Sequence, residues 1–222
     1  MKTLHAKQIR RAKQSGFTII ELVVVILLLG ILTATALPRF LDVTDEAHVA
    51  VQEAVLGGLN TGLALYRAAW FASGQLGANI TQFGDGTLDP WDGTTTPAPN
   101  GYPVGTDGGD VIADSADCLA IFEGLLQAGR PSATSAVYNA TAATLETNIE
   151  AVSASNDFVV TSNQVPVSQG TPATVQALGC NFYYTGQFKT GTAAAPVNVP
   201  LLQYSVTTGQ VTQGTAFTMN QG

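Results

Sequence analysis

Histidine and cysteine are scarce in this chain, with two of each among 222 residues. His5 lies close to the start, so His48 is the one histidine in the rest, and a solvated helix position explains it better than catalysis. So few imidazoles and thiols supply neither a zinc cluster nor a nucleophile–base set. No glycine-rich phosphate loop is present either. An enzyme is not expected, and no cofactor is expected. Charge is also sparse, with nine basic and 16 acidic residues. Five of the basic residues fall in the first 13 positions, at Lys2, Lys7, Arg10, Arg11 and Lys13, and no acid precedes Glu21. Past Ser15 the cations are Arg39, Arg67, Arg130 and Lys189. That acidic body repels nucleic acid and anionic lipid, so no nucleic-acid partner is expected for the subunit.

What is abundant is one apolar block. Phe17 to Leu37 reads FTIIELVVVILLLGILTATAL, 21 residues. As a helix it is about 31 Å long, the thickness of a bilayer's hydrocarbon core. The basic run before it predicts a cytoplasmic N-terminus, with the rest facing the periplasm or the exterior. Three readings stay open. A secretory signal peptide cut after Ala34-Thr35-Ala36 would release a product starting at Leu37. A permanent membrane anchor would stay uncut. The third is a cut before the apolar run, after Gly16. It rests on Glu21, a carboxylate that is costly inside a membrane and that usually has a partner and a job. Cleavage after Gly16 makes the Phe17 amine a nearby cation. Residues 17 and 21 share a helix face at i, i+4, and the same pair fits between adjacent subunits.

The basic leader, Gly16, Phe17-Thr18-Ile19-Ile20-Glu21-Leu22, the apolar run and Pro38-Arg39-Phe40 together resemble the class III signal of type IV pilins and type II secretion pseudopilins. The resemblance implies that a prepilin peptidase cuts between Gly16 and Phe17, that the Phe17 amine is methylated, and that Glu21 assists assembly by pairing with the amine of an adjacent subunit. The short leader resembles the type IVa class. The stretch ALPRFLDVTDEA and the closing strand-turn pattern are most similar to the pilins of mannose-sensitive haemagglutinin pili.

Pro38 is predicted to end or kink the membrane helix. Helical patterning then resumes, with Leu56, Leu59, Leu63, Tyr66 and Trp70 on an apolar face and Gln52, Glu53, Asn60 and Arg67 on the polar side. Ser73-Gly74 is the expected stop. Gly57-Gly58 and Gly62 weaken this helix, and admit either close approach of a sheet or local softness. Residues 74–110 are rich in turn signals. Within them Asp85, Asp89, Asp92, Asp107 and Asp110 are weak calcium candidates, since their spacing departs from an EF-hand loop. Asn79-Ile80-Thr81 and Asn139-Ala140-Thr141 match a glycosylation acceptor.

Residues 114–129 read as a helix with Leu119, Phe122, Leu125 and Leu126 on its apolar face. Residues 136–152 are expected to form a second helix. Strands are expected at 157–161, 180–185 and 201–206, with a hairpin into 210–212. Cys118 and Cys180 follow the apolar block, in the exported portion, where an oxidising compartment favours a disulfide.

The expected fold is therefore α+β, a long N-terminal helix packed on a C-terminal antiparallel sheet. Its segments are a cleaved leader (1–16), a membrane and filament-core helix (17–37), an amphipathic continuation (38–72) and a head (73–222). The expected function is a structural subunit, a major pilin. It would be held in the inner membrane as a precursor and homopolymerised by pilus assembly machinery into an extracellular filament for adhesion or motility. A type II secretion pseudopilin and a membrane-anchored periplasmic binding module are the alternatives.

Overall fold

A first helix, α1, runs over Ile19–Ala72, 54 residues without interruption. The computed structural model describes residues 16–74, 83, 88–91, 100–106, 112–139, 141–166, 175–188 and 197–219. The basic leader, Asp85, Asp92, Asp107, Asp110 and the first acceptor motif lie outside these residues. The chain divides into two units, Met1–Ala47 and His48–Gly222.

α1 starts at a capping box. The Thr18 amide and hydroxyl donate to Glu21 Oε2 at 2.8 and 2.9 Å, and the Glu21 amide donates back to Thr18 Oγ1 at 3.3 Å. These reciprocal bonds satisfy donors that a helix start leaves open. Pro38 does not end the helix, contrary to one of the two outcomes expected there. A proline removes one backbone bond, and α1 continues on both sides of that gap.

In the second unit the chain continues as β1 (Asp89–Pro90), β2 (Pro103–Gly105), α2 (Ser115–Leu126), β3 (Ala133–Ser135), α3 (Ala142–Ser153), β4 (Phe158–Pro166), β5 (Val175–Tyr184), β6 (Val197–Ser205) and β7 (Gln210–Met219). The main sheet has the order β3-β4-β5-β6-β7. β4 to β7 pair antiparallel in sequence order, as short connections favour. β3 is a parallel edge strand on β4. It carries no alternating pattern of its own, and the sequence reading missed it.

Period-2 alternation gives the sheet two buried faces. Phe158, Val160, Phe182, Tyr184, Leu202 and Tyr204 join one core with α1 and α2. Val159, Tyr183, Val199 and Leu201 join a second core with Leu145 and Ile149 of α3. The sequence reading covered only the first face. Adjacent apolar pairs such as Tyr183-Tyr184 and Leu201-Leu202 mark a sheet covered on both sides.

The buried stripe of α1 is Gln52, Val55, Leu59, Leu63, Tyr66 and Trp70. Leu56 packs at its edge. Gln52 was expected on the polar side, but it continues the 3–4 rhythm of the stripe toward the N-terminus and is buried. His48 comes one turn earlier and is not simply solvated. It is half-buried, and its Nδ1 lies 2.7 Å from the Tyr184 hydroxyl.

A helix, not a sheet, approaches the glycines of α1. A Cβ on Gly62 would lie 2.7 Å from the Leu125 carbonyl oxygen, and one on Gly58 would lie 2.7 Å from a Leu126 methyl. Both partners belong to the last turn of α2, so Gly58 and Gly62 permit a close helix–helix contact. Gly57 faces open space.

α2 is capped by Asp114, whose Oδ1 accepts from the amides of Ala116 and Asp117 at 2.7 and 3.2 Å. Its buried residues include Cys118, Ile121, Phe122 and Leu125, so of the expected face Phe122 and Leu125 are buried while Leu119 and Leu126 are partly buried at its edge. Phe122 sits 5.2 Å from the Phe158 ring and 5.4 Å from the Phe182 ring. α3 begins later than expected, at Ala142.

Candidate functional site

The candidate features lie at the N-terminal end of α1 and, separately, at the disulfide of the head. Gly16 and Phe17 precede the helix and are exposed, Phe17 at 88%. Twelve further large apolar side chains from Ile19 to Leu32 are exposed all round the helix. Burying such side chains yields about 1.5–3 kcal/mol each, so the segment has roughly 20–35 kcal/mol available from lipid or protein burial, as an upper bound. Length and composition suit a membrane crossing over Ile19–Ala36.

The polar groups in this segment are locally satisfied. Thr33 Oγ1 donates toward the Leu29 and Gly30 carbonyls at 2.9 and 3.0 Å, and Thr35 Oγ1 toward those of Ile31 and Leu32 at 3.2 and 3.0 Å. Neither hydroxyl needs water, which suits an apolar surrounding. Ala34-Thr35-Ala36, the alternative cleavage motif, therefore lies inside a hydrogen-bonded helix.

By its sequence position Glu21 is expected to pair with an amine. In the single chain it already accepts two bonds from Thr18. Thr18 was absent from the residues singled out, although the Thr-x-x-Glu spacing ahead of an apolar run is the signal that finds it. A carboxylate holds about four lone-pair sites, so the cap leaves capacity for a cation alongside.

Family comparison matches residues 11–37 to the prokaryotic N-terminal methylation motif. The chain carries a prepilin-type signal. The class III signal read from Gly16 to Leu22 lies within the matched residues. The chain is 47% identical over 55 residues to the type IV narrow pilus major component PilA5 of Thermus thermophilus, covering 25% of this chain and 46% of that protein. It is 38% identical over 63 residues to the type II secretion system core protein G of Pseudomonas aeruginosa, covering 28% and 44%. It is 43% identical over 54 residues to a fimbrial protein of Moraxella nonliquefaciens, covering 24% and 35%. The chain thus spans less than half the length of the curated relatives it matches. No solved structure matches.

In the head, Cys118 of α2 and Cys180 of β5 form a disulfide, with Cα atoms 5.5 Å apart and 62 residues of separation. Both cysteines are fully buried. The bond ties the α2 layer to the centre of the sheet.

Of the calcium candidates, Asp89 is described. It is a buried residue of β1, with its charge near Tyr66. Among the described residues no group of three or more His, Cys, Asp or Glu side chains is placed to hold a metal. Asn139 Oδ1 accepts from the Thr141 amide at 2.8 Å, a local turn within the second acceptor motif.

Burial raises the tyrosine pKa values in the core. Tyr66 is pushed up by desolvation and then by the Asp89 charge. Tyr204 is raised by desolvation and by its neighbours Tyr66 and Tyr102. Their hydroxyls donate to the carbonyls of Leu88 at 2.8 Å and Pro103 at 2.9 Å. They act as struts between α1, the β1–β2 ribbon and the sheet.

Proposed function

We propose that this chain is the structural, and major, subunit of a type IV pilus. A prepilin peptidase cuts it between Gly16 and Phe17, and the Phe17 amine is methylated. Residues 17–37 hold the precursor in the inner membrane and later form the core of an extracellular homopolymer. Residues 38–72 join that core to the head at 73–222, with a bend at Pro38. The single observation carrying this reading is the wholly exposed apolar helix that begins with a capped Glu21. Such a surface needs lipid before assembly and other subunits afterwards. Glu21 keeps acceptor capacity for the amine of an adjacent copy.

The test is mass spectrometry of the mature N-terminus together with recovery of sheared surface fibres. N-methyl-phenylalanine at residue 17 in sheared fibres is the expected result. A product starting at Leu37, or an intact Met1, overturns it. The identity to a type II secretion core protein favours a second reading, a pseudopilin. That reading predicts the same N-terminus without abundant surface fibres.

A further inference from the structure

Arg67 sits half-buried near the C-terminal end of α1. Its guanidinium carbon lies 4.7 Å from the Tyr102 ring centre and 5.5 Å from that of Phe71. One terminal nitrogen donates to the Tyr102 hydroxyl at 2.7 Å. Its Nε is buried without a hydrogen-bond partner among the described residues. Asn60, Ala64, Arg67, Phe71 and Tyr102 border a groove of about 400 Å³. Stacking fixes the planar fork of an arginine for carboxylate recognition. Yet among the described residues Arg67 meets no carboxylate, whereas Arg130 is paired with Glu123 at 3.1 Å.

The same helix face carries the complementary group. Glu53, Gly57, Asn60, Ala64, Arg67 and Phe71 follow a +4, +3, +4, +3, +4 rhythm and so share one side of α1. Glu53 is exposed and has no ion-pair partner among the described residues. The acid and the cation are 14 positions apart, roughly 21 Å along the axis. A face with an acid at one end and an arginine at the other complements its own copy displaced along that axis. A copy related by a two-fold across the axis also matches acid to arginine, twice over, but that contact closes into a pair. The displaced contact is heterologous and propagates into open helical arrays, and the filament reading selects it.

We propose that Arg67 of one subunit receives Glu53 of a neighbouring copy, the Tyr102–Phe71 groove being the socket. This rests on the filament reading above. Past residue 15 the chain has four basic and 16 acidic side chains, so close packing of copies is repulsive unless its few cations are matched. Arg67 is stacked, partly desolvated and, among the described residues, without a carboxylate beside it, which suits it to that match.

The experiment compares sheared fibre yield from full-length chains carrying Glu53→Lys, Arg67→Glu, or both. Glu53 is exposed and makes no side-chain hydrogen bond or ion pair among the described residues, so Glu53→Lys leaves the membrane-held subunit level unchanged. Placing like charges together lowers its fibre yield by about tenfold or more. The double exchange restores opposite charges and recovers yield well above either single variant. Wild-type fibre yield from Glu53→Lys overturns the proposal. So does a double variant that accumulates normally but stays unassembled. If the double variant fails to accumulate, the Glu53→Lys result alone decides. Absence of fibres from the wild-type chain sinks the filament reading instead, so the two failures are distinguishable.

Discussion

Removing the disulfide by Cys118→Ala with Cys180→Ala opens a loop of 62 residues of sequence separation. On the chain-entropy account, closing a loop of that length stabilises the fold by about 4 kcal/mol at room temperature. Both sulfurs are fully buried, so truncation also leaves small voids. A domain's whole stability is about 5–15 kcal/mol, so the loss is a large share of it. The assay is urea unfolding of the full chain in detergent, followed by tryptophan fluorescence. Trp70 and Trp91 are the chain's two tryptophans, and both are buried in the head core. The signal therefore reports the head and not the membrane helix. With a slope of about 2 kcal/mol per molar, the midpoint falls by about 2 M. Reduction of the wild-type chain shifts it similarly. A midpoint within about 0.5 M of wild type refutes the reasoning, since buried location and loop length would then contribute almost nothing.

Other outcomes follow from the same geometry. Gly62→Ala drives a Cβ against the Leu125 carbonyl and destabilises the head by about 1–3 kcal/mol. Gly57→Ala, facing open space, stabilises the helix by up to about 1 kcal/mol, and equal urea midpoints for the two variants contradict the close-packing account. Thr18→Ala removes the cap of α1 while keeping the Glu21 charge, and Glu21→Gln removes the charge while keeping an acceptor. If pairing with an amine drives assembly, Glu21→Gln is cleaved normally but assembles poorly, and Thr18→Ala still forms fibres. Equal fibre yield from the two variants argues against that pairing. Tyr66 and Tyr204 have raised pKa values in the folded head, so the unfolded chain releases its tyrosine protons first. Head stability holds below the ordinary tyrosine value of about 10 and falls as pH rises beyond it. A urea midpoint that stays flat well into that alkaline range contradicts their burial.

Much of the fold is legible where one strong pattern dominates. The apolar block, the 3–4 rhythm from Leu59 to Trp70 and the β-branched and aromatic runs of β4, β5 and β6 each carry their own periodicity. Gln52 and His48 were misplaced because a polar residue at a stripe position looks like a polar face. Only the neighbouring Tyr184 reveals that the stripe continues through His48. β3 was missed because three residues paired parallel on an edge have no local signature. The candidate site was half legible. Gly16, Phe17 and Glu21 stand out by chemistry alone, and Thr18 was readable from the capping-box spacing. From its spacing Arg67 reads only as part of a polar side.

By itself the sequence determined the chemistry of the first forty residues. Local hydropathy, a single acid and flanking charge need no knowledge of folding to show a segment that must be buried outside its own chain. It also determined that the head would be α+β, because element type follows from periodicity within short windows. The tertiary structure decided which residues from distant windows meet. It placed Leu125 against Gly62, Tyr102 over Arg67, and α3 on the second face of the sheet. Those contacts join segments tens of residues apart, and no local period encodes them. They arise when several elements bury their apolar faces together.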